Sequence, residues 1–142
     1  MKRTVILTIG TAIWGLSACS QKMDASKVPG AVKVAFTKQY PGTAVRWEKE
    51  GAKFEAGFKQ NGNTLSALYD VNGILSETET DIKVAALPAT VLNYIKEHYK
   101  GKMIKEAASI VKADGCVNYE AEVNGKDVIF DATGKFLKEV KD

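Results

Sequence analysis

Residues 68–75 read LYDVNGIL, and residues 129–136 read IFDATGKF, a near copy 61 positions further on. In each, apolar residues run up to an Asp, and Gly stands three places after it. Asp70 with Gly73, and Asp131 with Gly134, have the spacing of a type I turn, in which Asp holds the first position and Gly the fourth. Leu75 and Phe136 then open the next strand at equivalent places. A calcium loop is the competing reading of Asp70, Asn72 and Gly73. It fails on ligand count, because the further ligands and distant Glu of such loops are absent. A repeated corner predicts a repeated architecture.

Working outward, the repeat extends in both directions. Val28-Pro29 matches Leu87-Pro88 at an offset of 59, as do Val32 with Val91, Phe36 with Ile95 and Tyr40 with Tyr99. Spacing of i, i+4, i+8 puts these apolar side chains on one helical stripe. Pro29 and Pro88 suit a first helical turn, and Val28 and Leu87 suit hydrophobic staples. Gly42 and Gly101 follow the tyrosines as stops. Next come alternating segments. Phe54, Ala56 and Phe58 alternate with Lys53, Glu55, Gly57 and Lys59, and Tyr119, Ala121 and Val123 alternate with Asn118, Glu120 and Glu122. Period two with one polar face describes a half-exposed antiparallel strand. Asn61-Gly62 and Asn124-Gly125 are hairpin turns. The unit is one helix followed by a four-stranded antiparallel sheet. It occurs twice, at 28–82 and 87–140, which gives an α+β fold with both helices packed on one face.

Residues 1–18 stand apart from this domain. Lys2 and Arg3 precede an uncharged, mainly apolar run from Val5 to Leu16, and Leu16-Ser17-Ala18-Cys19 follows. This is the layout of an export signal, too short to span a bilayer. Its last four residues resemble the lipobox of bacterial lipoproteins, which implies cleavage before Cys19 and a lipid on its sulfur. Residues 19–27 read as a polar tether and 28–142 as the folded domain. Removing 1–18 takes away two bases and no acid, so the net charge falls from +3 to +1. A balanced chain gives no electrostatic case for nucleic acid. With Cys19 lipidated, Cys116 has no intrachain partner, and its default role is small packing residue near a hairpin.

Catalysis finds little support. His98 is the sole histidine and aligns with Gln39, which marks a helix surface and not a general base. No phosphate-cradling loop, metal-ligand spacing or nucleophile motif occurs, so neither cofactor nor metal is expected. The carboxylates Glu48, Glu50, Glu55, Glu120 and Glu122 fit solvated strand faces. Binding has a better basis. The segments around Leu68 and Ile129 are apolar on both parities, and helices can cover only one face. If Tyr69 and Phe130 face the helices, Leu68 and Ile129 fall on the open face among Lys53, Glu55, Lys59, Glu120 and Glu122. Apolar residues inside a polar rim are a contact-site pattern.

Two Val/Leu-Pro helices, Tyr-(Pro/Lys)-Gly stops, Phe/Tyr-Glu-Ala strands and Asp-x-x-Gly corners together resemble the PepSY-like periplasmic proteins. Structures of that family look like beta-lactamase inhibitory protein, and the resemblance covers about residues 28–140. It implies a fold and carries no catalytic residues; a shared fold does not fix a function. The expectation is a non-catalytic, lipid-anchored module of the cell envelope. It would meet the membrane through Cys19 and bind a protein or peptide by the open sheet face. A small-ligand carrier using the sheet concavity is the alternative.

Overall fold

The structure, a computed structural model, describes residues 21–141, so the signal segment and Cys19 lie outside the described residues. The strands are β1 (Gln21–Met23), β2 (Val45–Glu50), β3 (Lys53–Gln60), β4 (Asn63–Tyr69), β5 (Leu75–Asp81), β6 (Ile104–Lys112), β7 (Val117–Val123), β8 (Lys126–Asp131) and β9 (Phe136–Lys141). The helices are α1 (Gly30–Gln39), between β1 and β2, and α2 (Ala89–His98), between β5 and β6. All nine strands form one antiparallel sheet in sequence order. This corrects the expectation of two four-stranded sheets. Strands β5 and β6, from different repeats, pair from Glu77 opposite Lys112 to Asp81 opposite Ala108. An unpaired β5 would leave a row of bare backbone groups, and β6 satisfies them.

Two further differences concern the repeat ends. Gln21–Met23, expected in the tether, pairs with β2 as a ninth, edge strand. Single 3₁₀ turns at Ala25–Lys27 and Val84–Ala86 precede the helices at matching positions. Pro29 and Pro88 stand one place before the first helical residue, with their carbonyls accepting from Lys33 and Leu92.

The helices bury their stripes as expected. Val32 and Phe36 of α1 are buried with Trp47, Phe54, Phe58 and Tyr69, and Phe36 meets Tyr40, Trp47 and Phe58 at ring separations of 5.2–5.5 Å. Val91 and Ile95 of α2 are buried with Ala121, Val123, Val128 and Phe130. Val28 and Leu87 close the near ends of these clusters at 3% and 4% exposure. Asn61-Gly62 and Asn124-Gly125 have positive φ throughout, as a type I′ hairpin requires.

The duplicated corner also ties sheet to helix. Asp70 Oδ1 accepts from the backbone of Asn72 and Ile74, and Asp131 Oδ1 accepts from Thr133 and Lys135, so turn chemistry occupies these carboxylates. Each corner rests on the first turn of its helix. A Cβ on Gly73 would lie 2.5 Å from the Ala31 carbonyl oxygen, and one on Gly134 would overlap the Thr90 side chain. Thr90 Oγ1 also donates to the Thr133 carbonyl at 2.9 Å. Gly73 and Gly134 both have φ near +80°.

Gly73→Ala and Gly134→Ala should therefore each cost about 2–4 kcal/mol, the sum of left-handed strain and overpacking. Gly62→Ala shares the φ of +81° but faces open space, so it should cost only about 1 kcal/mol. Denaturant titration of the three variants checks this; equal losses would mean that the corner does not bear on the helix. Phe36→Ala and Ile95→Ala should each cost about 2–5 kcal/mol in the same titration.

Candidate binding face and cavity

The strand register sorts side chains onto two faces. Phe54 pairs with Tyr69, Ala56 with Ala67 and Phe58 with Leu65, all toward α1. Between them, Glu55 pairs with Leu68 and Gly57 with Ser66 on the face without helices. In the second half Glu120 pairs with Ile129 and Glu122 with Asp127 in the same way. Lys53 and Lys59 share the parity of Glu55. The register therefore brings the seven candidate residues Lys53, Glu55, Lys59, Leu68, Glu120, Glu122 and Ile129 onto one face.

Their exposure differs from the expectation of visible apolar area. Leu68 is 6% exposed and Ile129 2%, and beside them Glu55 and Glu120 are 7% and 8% exposed. Neither apolar residue belongs to the clusters beneath the helices. With no helix on this side, such burial means that a long twisted sheet curls inward and its side chains cover one another. Ile110 of β6, fully buried and paired with Glu79, completes the apolar strip of this face.

The concave face is rich in carboxylates. Glu77, Glu79 and Asp81 alternate along β5 with Thr78 and Thr80, so the three acids share the face. Glu77 is answered by Lys112 at 2.5 Å, and Glu122 by Lys105 at 3.0 Å. Glu55 is held differently. Its Oε2 is buried without a hydrogen-bond partner, and burial raises its pKa to about 7; a Ser66 hydrogen bond opposes the shift, and Glu50 and Glu48 add to it. Burial also pushes Glu79 well above the usual carboxylate range, and the charges of Glu120 and Glu55 add to the shift. Part of Glu79 still reaches solvent, yet protein crowds it on the curled face, and that crowding desolvates it. Asp81 is raised by burial as well, against a hydrogen bond from Thr64.

These acids border a cavity of about 540 Å³ in the first half. Its floor includes Gly57 and Ser66, its wall is the Gly42–Ala44 loop, and Glu48, Glu55, Glu79 and Asp81 line it with Arg46 and Lys59. Arg46 Nε lies 3.0 Å from Glu48, an ion pair without an aligned hydrogen bond. The repeat explains the location. Gly57 occupies the place of Glu122, and Ser66 that of Asp127, so the first half carries smaller residues there, and the Arg46 guanidinium lies over Gly57.

Sequence reasoning missed Ile110, Gly57, Ser66 and the β5 acids. The Glu-Thr-Glu-Thr-Asp alternation at 77–81 was the available signal. Elsewhere, His98 is exposed, stacked on Tyr94 at 3.9 Å with Nδ1 against the Tyr94 carbonyl. Cys116 is exposed and not packed, because the hairpin turns it outward; Asp114 beside it raises its thiol pKa through a hydrogen bond and its charge. Among the described residues no group of three acids, histidines or cysteines could hold a metal, and no helix is long and apolar enough to cross a membrane.

Comparison with known proteins now places the chain. It belongs to the family described as "Putative beta-lactamase-inhibitor-like, PepSY-like", whose pattern matches residues 2–76 and 52–138. That family is inhibitor-like, and no enzyme family is indicated. A crystal structure of a BLIP-like protein from Bacteroides fragilis is similar at 26% identity and a TM-score of 0.61, covering 78% of this chain and 84% of that one. A protein from Bacteroides eggerthii, described among "putative periplasmic proteins", superposes with a TM-score of 0.70 at 19% identity, covering 79% and 87%. A DUF2874 family protein from Bacteroides uniformis gives 0.69 at 22% identity, covering 78% and 87%. Among curated proteins, none matches the chain.

The raised carboxyl of Glu55 has a thermodynamic consequence. Folding strengthens its hold on a proton, so its contribution is full below the ordinary pKa of 4.5 and is lost as pH rises through about 7. Glu55→Gln should raise the melting temperature at about pH 8 and flatten the pH dependence across that window, by at most about 2–3 kcal/mol. Thermal unfolding of both proteins across that range is the check; a variant less stable than wild type at high pH would refute it.

Proposed function

We propose that this chain is an exported, lipid-anchored module of the bacterial cell envelope that binds a protein or peptide segment through the concave face of its sheet. One observation carries the reading. A sheet face without a covering helix holds desolvated carboxylates around an open cavity, an arrangement that costs stability unless something else meets those charges. The inhibitor-like description of the family makes an enzyme one class of partner. The relatives described as periplasmic, together with the export signal and lipobox, support an envelope location. A small-ligand carrier has the cavity size in its favour, since such sites are roughly 300–1,000 Å³. Four carboxylates and two bases line it, groups that a wholly apolar ligand would leave unmet, so the protein or peptide reading stands first.

Anchoring bears on access. Cys19 precedes β1 by two residues, an extended reach of at most about 7 Å. A lipid there would hold the β1 edge at the bilayer without a long spacer.

Two measurements test this. A photo-crosslinking residue at Lys59, on the open face, should capture a partner in the native envelope, while one at Val34, exposed on α1, should not. Capture from Val34 alone would overturn the choice of face. Cys19→Ser should abolish fatty-acid labelling and membrane retention, and equal labelling of both proteins would remove the lipid anchor.

A further inference from the structure

We propose that the end of the sheet nearest Cys19 is a membrane-docking surface, where Val34, Val71 and Ile74 enter a bilayer bearing anionic phospholipid headgroups. The inference rests on the lipid anchor at Cys19 and says how the domain stands on the membrane that holds it.

Position is the first observation. Gln21, Lys49, Phe54, Tyr69 and Leu75 are successive partners from β1 to β5, so they form one rung of the sheet. The corner at 70–74 therefore leaves the sheet at the end where the chain runs back toward Cys19. Three strand spacings, about 14 Å, separate Gln21 from Tyr69. The corner also touches the start of α1, since a Cβ on Gly73 would meet Ala31 and Ala35. Val34 stands in that same helical turn, and Val71 and Ile74 lie on either side of Gly73. The cavity lies the other way: Thr64 and Asp81, which line it, are at the opposite ends of β4 and β5 from the corner. A domain docked by the corner would keep its concave face clear of the bilayer.

Composition is the second. Val34, Val71 and Ile74 are 67%, 55% and 63% exposed, and none belongs to the core beneath α1. The turn does not require them. The second corner makes the same bonds from Asp131 with Ala132 and Lys135 in the places of Val71 and Ile74, and α2 has Asn93 in the place of Val34. Large apolar side chains thus gather on the surface of the repeat that follows the tether, and its copy lacks them. Exposed apolar side chains grouped in this way mark a contact surface. Charge divides the same way. Residues 21–39 carry four lysines and one acid, whereas the matching stretch 80–98 carries two of each. Lys33 and Lys38 flank Val34 on α1, and the Asp70 carboxylate is occupied by the amides of its own turn. Apolar side chains bordered by lysines suit an acidic bilayer, and both contributions add to that of a lipid chain.

The test uses the full chain with Cys116→Ser, processed in a bacterial host and reconstituted in vesicles of phosphatidylethanolamine and phosphatidylglycerol. A nitroxide on Ile74→Cys should be reached by dissolved oxygen in preference to a water-soluble nickel chelate, as a label inside a bilayer is. Met103 is 85% exposed but sits at the far end of the sheet, just before Ile104, which pairs with Val123. The same label on Met103→Cys should be open to the chelate. An Ile74 label as open to the chelate as the Met103 label would overturn the docking surface. Exchanging phosphatidylglycerol for phosphatidylcholine, or introducing Lys27→Glu with Lys38→Glu, should remove the protection at Ile74. Protection unchanged by both would overturn the part given to anionic headgroups. Fatty-acid labelling of the same protein separates this inference from the reading beneath it. With lipid on Cys19 and the Ile74 label in water, the docking surface falls and the anchor stands; without lipid on Cys19, both fall.

Discussion

The pairing of β5 with β6 is the constraint on which the rest of the molecule depends. Each repeat closes its own helix-and-strand unit, but units of this size bury too little to stand well alone. The joint supplies what they lack. Five residue pairs run from Glu77 and Lys112 to Asp81 and Ala108, and the bonds from Ala113 to Ser76 and from Ile82 to Ala107 extend it at both ends. It gives β5 a partner on its open side and sets both helices on the same face. It also sets Glu79 opposite Ile110 and one strand from Glu120. The acidic face of the first repeat and that of the second thereby become one surface, and the repulsion that Glu79 meets from Glu120 and Glu55 follows directly.

Duplication then allows one unit to keep the frame while the other changes its surface. The frame residues match closely: Val32 with Val91, Phe36 with Ile95, Tyr69 with Phe130, and the two glycines seated against their helices. The open-face residues do not. Where Glu122 finds Lys105 and Glu77 finds Lys112, Glu55 takes the Ser66 hydroxyl and the charge of Arg46, and one of its oxygens accepts no hydrogen bond. A face that served stability alone would pair or replace such a group, since buried unpaired charge is among the costliest arrangements in a protein.

The difference between what the sequence disclosed and what it withheld follows range of interaction. The Asp70 and Asp131 corners, the Asn-Gly turns and the helical stripes depend on neighbours a few residues away, so spacing reveals them. The faces of Phe54 and Tyr119 follow from period two, and the register agrees. The β5–β6 joint is different in kind. It pairs strands that a helix separates, and no local pattern in Leu75–Asp81 selects Ile104–Lys112 over another strand. The burial of Leu68 and Ile129 was hidden for a related reason. Alternation assigns a side chain to a face but says nothing of how strongly the sheet curls. Gln21–Met23 carried only polar and flexible residues, and its strand character comes from the β2 backbone beside it. Gly57 and Ser66 were legible as letters in the alignment; their meaning needed the cavity.

The edges of the sheet narrow the ways a partner could engage it. At one edge β1 is three residues long, too short to template an added strand, and it lies next to the expected lipid. At the other edge three of the six residues of β9 are charged, Lys138, Glu139 and Lys141, and Glu139 is drawn to Lys126 and Tyr99. Charged, short edges discourage strand addition. The helix side is closed by α1, α2 and the two corners seated on them. What stays open is the concave face, and on it burial raises the carboxyl groups of Glu55, Glu79 and Asp81. A ligand that met this face would reach those carboxylates while leaving every backbone pairing of the sheet in place.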